Sequence, residues 1–485
     1  MRNRIFALLL LAALLLTGCT PAAAPTQAPT EAPTQTPTEA PTEAPTEAPT
    51  DPPAPTPKQV VVYFANWYLD TKTAQEGSEV CSIPWDSVTY VNHAFWQVEP
   101  DDGTTETSWE RRDAKEPART KFKVTSTLPK ADFENDEPSE MAEGLPRNHF
   151  AQYAYYAEKY PDVNILISIG GWTRCGYFSE MAYTPEGRAS FVDSCMAILE
   201  EYPWVDGFDI DWEYFGGSKD GERRPEDEID QGCPIWGTKE EDSENFALLA
   251  QELREAMAKV YGEGTKKLTA CASASAAWTL SCQNWRKISP YMDLINIMTY
   301  DLAGLWDKCT GHASKMSDIN NALSVMTVGY KVEPSKLCIG SPMYATDFLI
   351  DKEPTGSYVG APAHSAPAEG EIDQTMLRAY EAEAVSGFTI EWVDGKPVVG
   401  ETYDHGGKGW HFALDKLAQV PYLYNDDPDS EYYLWYLSYE NAISLQQKLD
   451  VIHDRDLAGI IVWECSEDTQ DHQMIRQMAA SLLDQ

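Results

Sequence analysis

Within the stretch VDGFDIDWEYFGG, the carboxylates Asp206, Asp209, Asp211 and Glu213 fall in a span of eight residues and interleave with Phe208, Ile210 and Trp212. Alternation of period two marks a strand whose two faces meet different surroundings. If a strand over 204–211 continues to Glu213, then Asp209, Asp211 and Glu213 share one face at steps of roughly 6.5 Å. The apolar residues then share the other. Three carboxylates in a poorly solvated interior cannot all ionise cheaply, so protons are shared and at least one pKa rises. A raised pKa on the outermost member, Glu213, is what a general acid working near neutral pH requires. Asp206 has the opposite parity and is expected to hold the start of the strand.

Calcium is the competing chemistry for an Asp-rich run. A calcium hand needs glycine at the sixth place of its loop and an acid at the twelfth. Counted from Asp206, those places hold Asp211 and Gly217; counted from Asp209, they hold Tyr214 and Asp220. No metal site is read here, and no cofactor is expected.

Such a strand needs a scaffold that buries both of its faces. Apolar, largely β-branched runs at 60–65, 88–95, 163–170, 204–211, 268–274, 292–300, 337–343 and 458–464 read as strands. They alternate with amphipathic stretches; that over 241–261 repeats Phe246, Leu249, Leu253, Met257 and Val260 at spacings of three and four. Eight strands separated by helices predict an α/β protein, a (β/α)₈ TIM barrel. Two connections are oversized, 97–147 and 344–457. The second is long enough for a small α+β subdomain, assigned to 345–435 between strands seven and eight, followed by the last barrel helix.

A net charge of −40 excludes nucleic acid and anionic membrane surfaces as partners, because phosphate binding requires clustered Lys and Arg. A neutral or cationic substrate is favoured, and the 15 tryptophans supply stacking surface. The opening MRNRIFALLLLAALLLTGC has the pattern of a secretory signal. Its end, Leu16-Thr17-Gly18-Cys19, resembles a bacterial lipobox, in which Cys19 is acylated. Residues 20–57 are a Pro/Thr/Glu/Ala-rich spacer that cannot bury apolar area, and 58–485 are expected to form the barrel. Nine cysteines follow Cys19, several within apolar runs, so few or no disulfides are expected.

DGFDIDWE resembles the D-x-x-D-x-D-x-E signature of glycoside hydrolase family 18, the chitinases and related endo-N-acetylglucosaminidases. Other segments agree in order along the chain. Ser168-Ile169-Gly170-Gly171-Trp172 is similar to the S-x-G-G segment ending the third strand. Met298-Thr299-Tyr300-Asp301, with Gly304 and Trp306, resembles M-x-Y-D-x-x-G-x-W after the sixth. AGIIVWE, carrying Trp463, resembles the last strand. Ser438-Tyr439-Glu440, Ser444 and Lys448 are similar to the stretch before the last helix, and VPYLY to the inserted subdomain. The chain departs from the family after Pro342-Met343-Tyr344, where Ala345 and Thr346 replace the usual glycine and arginine. Tyr439-Glu440-Asn441 also departs from the usual tyrosine–aspartate pair.

The resemblance implies a retaining mechanism in which the substrate's own 2-acetamido oxygen is the nucleophile, an exception among glycosidases. It implies that Glu213 is the acid, that Asp211 orients the acetamido N–H, that Asp209 supports Asp211 and that Tyr300 holds the acetamido oxygen. Trp463 becomes the floor of the cleavage subsite. Trp306, Tyr214, Trp172, Met298 and Tyr344 become further substrate contacts, with Asp301 a hydrogen-bonding support. Ser168, Gly170 and Gly171 permit close packing under the carboxylates. Chitin or its oligomers is the first expected substrate, followed by N-glycan cores and then peptidoglycan; a silent lectin and a solute-binding lipoprotein are rivals. The protein is expected to be a monomer on the outer face of a bacterial membrane, held there only through its lipid.

Overall fold

The computed structural model describes residues 57–217, 232–276, 282–304, 306–364, 376–400 and 407–483. The signal-like segment, Cys19 and the spacer up to residue 56 lie outside them. By internal contacts the chain divides into Met1–Ala54 and Pro55–Gln485; the second unit carries the barrel.

Eight parallel strands close on themselves: Gln59–Ala65, Tyr90–Pro100, Asn164–Gly170, Gly207–Asp211, Lys267–Ser273, Leu294–Met298, Leu337–Pro342 and Gly459–Trp463. Closure is made by the first strand, which pairs Gln59 with Gly459 on one side and Val61 with Tyr90 on the other. In the fourth strand, Phe208 and Ile210 point outward and join an apolar layer that continues through Trp212, with Phe178 and Phe246 from the surrounding helices. A smaller apolar cluster, including Tyr63, Phe95, Leu166, Cys271, Met298, Tyr300 and Ile461, fills the barrel interior.

The helix expected over 241–261 spans Lys239–Tyr261 and opens on a reciprocal cap between Thr238 and Glu241. Phe246, Leu249, Leu253 and Met257 are buried, but Val260 is 62% exposed. It sits in the final turn, where the chain leaves the wall at Gly262, so the apolar periodicity outruns the packed face. Three strand limits also differ from expectation. The second strand runs on to Pro100 because Phe122–Ser126 pairs with its end in antiparallel register, giving part of the polar first connection a ladder. The sixth stops at Met298, before Thr299 and Tyr300. The fourth stops at Asp211, so Glu213 lies on the turn beyond it.

Between the seventh and eighth strands, Thr346–Ile350, Ala363–His364, Trp410–Asp415, Val420–Asn425 and Trp435–Ser438 form a five-stranded antiparallel sheet. The helix Met376–Val385 and the hairpin Ile390–Val393/Lys396–Val399 belong to the same insertion. Tyr439 donates a hydrogen bond to Glu383 of that helix, and Asn441 donates another at 2.9 Å. All nine cysteines after Cys19 are free thiols.

Candidate active site

Parallel register sets the floor of the site. Ser168, Asp209 and Thr269 are successive Cα partners across the third, fourth and fifth strands. Their side chains meet: Ser168 Oγ donates to Asp209 Oδ2 at 2.8 Å and Thr269 Oγ1 to Oδ1 at 2.5 Å. Tyr63 OH and Asn296 Nδ2 add donors at 2.9 and 3.2 Å. Asp209 is fully buried, and burial raises its pKa against the opposing pull of these four hydrogen bonds. A carboxyl held by four partners at 0% exposure is a support and has no face left for substrate.

Asp211, one step higher, is in a different condition. It is 3% exposed, and its Oδ1 has no hydrogen-bond partner. Burial, then the charges of Glu213 and Asp209, raise its pKa well above the usual carboxylate range, while the Cys271 thiol opposes the rise. Buried carboxylate oxygens normally find a donor, so this one is built to receive a donor from outside the protein.

Glu213 is partly exposed at the mouth, and burial pushes its pKa up to about 7. Asp301 adds to the rise and a hydrogen bond involving Tyr214 opposes it. The turn that carries Glu213 is fixed by a buried thiol. Glu213 N donates to Cys175 Sγ at 3.1 Å, and that thiol lies 3.3 Å from Asp211 O. Gly170, at φ +114°, sits so close that a Cβ would lie 2.2 Å from Asp211 O. Gly171, at φ +84°, presses its backbone on the Phe95 ring, and its N–H donates to Asp211 O at 2.8 Å. Both glycines are required by approach and by φ. Asp206 stays away from the cleft; its Oδ2 accepts Ile165 N at 3.0 Å.

Tyr300 is buried within electrostatic reach of Asp211 and Glu213, and burial above all keeps its hydroxyl protonated. It fits because the seventh strand has a glycine opposite: a Cβ on Gly340 would lie 2.6 Å from the Tyr300 ring. Gly340 is itself held, its carbonyl accepting Lys448 Nζ at 2.9 Å and Thr299 Oγ1 at 2.9 Å. Lys448 pairs with Glu440 at 3.1 Å, both side chains 1% exposed. The stretch before the last helix therefore acts through the seventh strand and not on the cleft.

Among the candidate contacts, Trp463 is partly exposed and stacks on Phe95 at 5.5 Å, with Tyr63 at 5.6 Å. Trp172 is 45% exposed and meets Tyr214 edge-on at 6.4 Å. Trp306 is 64% exposed with its ring over Gly304. Tyr344 OH donates to Asp301 Oδ1 at 2.6 Å. Met298 packs in the interior cluster. The sequence reading missed Tyr63, Thr269, Asn296, Cys271 and Cys175, which hold the carboxylates, and Trp67, 39% exposed and 6.2 Å from Trp463. The available signal was a polar residue set among apolar strand neighbours: Tyr63 in VVVYFA, Thr269 in LTACASA and Asn296 in DLINIM.

Residues 59–468 match the family described as glycosyl hydrolases family 18. Chitinase ChiA of Flavobacterium johnsoniae is 29% identical over 459 residues, covering 85% of this chain and 27% of that protein. Chitinase A1 of Niallia circulans is 29% identical over 331 residues, covering 64% of this chain and 41% of that protein. The chain thus spans less than half the length of either relative. The group IV chitinase of Ostrinia furnacalis in complex with allosamidin shares the fold, with a TM-score of 0.63 at 23% identity over 88% of this chain and 99% of that one. Because the match runs unbroken from the first barrel strand to beyond the eighth, taking in every strand that builds the carboxylate stack, the chain belongs to glycosyl hydrolases family 18.

Proposed function

We propose that the protein is a retaining chitinase that cleaves β-1,4 bonds beside N-acetylglucosamine with help from the substrate's acetamido group. The observation that carries this reading is the buried, unpartnered Oδ1 of Asp211 next to an acid whose pKa is about 7. An ordinary retaining enzyme needs a second carboxylate free to attack carbon. Here Asp209 is enclosed by four donors, and Asp211 is held protonated or proton-sharing by its neighbours' charges.

In the proposed reaction, Glu213 gives its proton to the glycosidic oxygen while the acetamido carbonyl oxygen attacks C1, and the C1–O bond breaks to leave an oxazolinium ion. Asp211 Oδ1 accepts the acetamido N–H, and the negative charge left on Glu213 and shared with Asp211 balances the cation that forms. Tyr300 OH donates to the acetamido oxygen and fixes its line of approach. Water then attacks C1 from the face the leaving group vacated, the bond from C1 to the acetamido oxygen breaks to restore the acetamido group, and the water's proton passes to Glu213, restoring the acid with net retention. Trp463, above Phe95 and Tyr63, offers the floor for the sugar undergoing attack; Trp306, Trp172 and Tyr214 extend the aromatic surface along the cleft. The chitinase names of the Flavobacterium and Niallia relatives support the choice of substrate. We place the enzyme on the outer face of a bacterial membrane, acylated at Cys19 and held off the surface by residues 20–57.

The test is product analysis by mass spectrometry after the full-length chain and Glu213→Gln are incubated with chito-oligosaccharides, an N-glycosylated protein and peptidoglycan. Shortened chito-oligomers from the parent and none from the variant are expected. Release of whole glycans or muropeptides with chito-oligomers untouched would move the substrate; binding without cleavage would make the protein a lectin.

A further inference from the structure

We propose that His93, Asp132 and His149 hold a divalent transition-metal cation of the zinc class, which pins the first inserted segment to the outside of the barrel wall. The three residues come from the second strand, from the turn Lys130–Glu134 inside the insertion, and from the first residue of the helix His149–Lys159. Their facing atoms lie within 4.8 Å of one another, and all three side chains are 0–1% exposed.

Spacing is the first argument. His93 Nε2 is 3.0 Å and His149 Nδ1 is 3.2 Å from the same oxygen, Asp132 Oδ1. Ligands at metal bonds of about 2.0–2.2 Å in tetrahedral or octahedral arrangement are about 3.0–3.5 Å apart. His93 Nε2 is buried, and Asp132 Oδ1 is the polar atom it faces. Two ring nitrogens and a carboxylate oxygen converging on one buried centre are what ligands of one cation show.

The outer partners are the second argument. His149 Nε2 faces Ser78 O at 3.2 Å, so that nitrogen carries the hydrogen and a neutral ring turns the lone pair of Nδ1 toward Asp132. Lone pair against carboxylate is repulsive unless a cation or an added proton lies between. His93 Nδ1 meets Tyr153 OH at 3.3 Å. Asp132 Oδ2 accepts Trp96 Nε1 at 3.1 Å and Ser126 Oγ at 2.5 Å. Each of the three residues thus has a second polar atom engaged away from the shared centre, the arrangement that orients metal ligands. Charge is the third argument: among the described residues no lysine or arginine pairs with Asp132. Phe64 and Phe150 wall the cluster, so a carboxylate there needs a positive partner close by.

Elemental analysis of the full-length chain, purified without chelator or histidine tag, tests the proposal. About one zinc-class ion per chain is expected, lost in Asp132→Asn and in His149→Gln and kept in Glu213→Gln, which separates this site from the catalytic reading. Should those substitutions prevent folding, the unsubstituted chain still decides: chelator should lower its Tm by several degrees, zinc should restore it, and Co(II) should give the d–d bands of a low-coordinate nitrogen/oxygen site. Metal at background, no chelator effect and no cobalt spectrum would overturn the proposal and make His149 an imidazolium bound to Asp132.

Discussion

The two faces of the barrel wall each carry a buried cluster of titratable side chains, and the clusters treat protons in opposite ways. Inside, Asp211 meets other carboxylates, and burial plus like charge push it up, with Glu213 reaching about 7. Outside, burial would also raise Asp132, but positive charge held between it and the rings of His93 and His149 outweighs burial and keeps that carboxyl below its usual range. The second and fourth strands belong to one sheet with the third between them, and a step of one residue along a strand moves a side chain from one environment to the other. Company, not residue type, sets the state of each acid. The inner cluster keeps a proton ready to move; the outer one holds its charge against two imidazoles and the side chains of Trp96 and Ser126.

If this contrast is right, substitutions in the two clusters should fail differently. Asp211→Asn and Glu213→Gln should lower kcat on chito-oligosaccharides by roughly 10²–10⁴-fold while the protein remains folded. Asp132→Asn should do the reverse. Removing one member of a buried charged set costs about 3–5 kcal/mol of stability, to be read in a denaturant melt, and kcat of the folded fraction should be unchanged. A D132N protein that is fully stable, or a D211N protein that is fully active, would break the contrast.

The inner cluster was legible in the sequence because its chemistry is local: one strand carries Asp209, Asp211 and a following Glu213, and period two shows which face they share. The strand was drawn too long, since Trp212 continues the apolar alternation after the ladder has ended. The eight barrel strands were legible for the same reason, each being a short apolar run between helical stretches. Of the cage around Asp209 only Ser168 was, through its resemblance to a known segment; Tyr63, Thr269 and Asn296 come from three further strands, and only closure of the barrel brings them together. Asp132, His149 and His93 are harder still: positions 93, 132 and 149 have no repeating interval, and they fall respectively in a strand, inside a connection read as polar loop and just beyond it. The extension of the second strand along Phe122–Ser126 was hidden for a related reason, since Gln97 and Glu99 look like loop until their ladder partner is known.

Stability against pH sharpens the comparison further. Glu213 rises from its ordinary 4.5 to about 7 on folding. Between those values the folded protein holds a proton that the unfolded chain has released, so this group lowers stability as pH climbs through the window and adds no further loss above it. The whole effect is at most about 3 kcal/mol, less what solvent at the mouth relieves. Glu213→Gln should therefore melt a few degrees above the parent at pH 8 and together with it at pH 4. Hydrolysis should respond over the same range, kcat/KM falling above about pH 7 as the acid loses its proton. Equal melting of parent and variant at both pH values would show that the inner cluster stores no such cost.

The smallest expected effect probes the support beneath the acid. Tyr63 OH donates to Asp209 Oδ2 at 2.9 Å and lies 3.0 Å from Cys271 Sγ, the thiol that also reaches Asp211. Tyr63→Phe keeps the ring that packs on Trp463 at 5.6 Å and deletes only the hydroxyl. One hydrogen bond to a charged group is worth about 1.5–3 kcal/mol, and three donors remain on Asp209, so a loss near the lower limit, roughly tenfold in kcat, is expected. Because Asp209 loses a donor that favours its ionised form, its pKa should rise further, the proton shared up the stack should shift toward it, and the pH profile of kcat should move while KM stays constant. A change in KM alone would show that Tyr63 acts through the aromatic floor; a shift of the profile at constant KM would tie it to the proton that the inner cluster keeps mobile and the outer one does not.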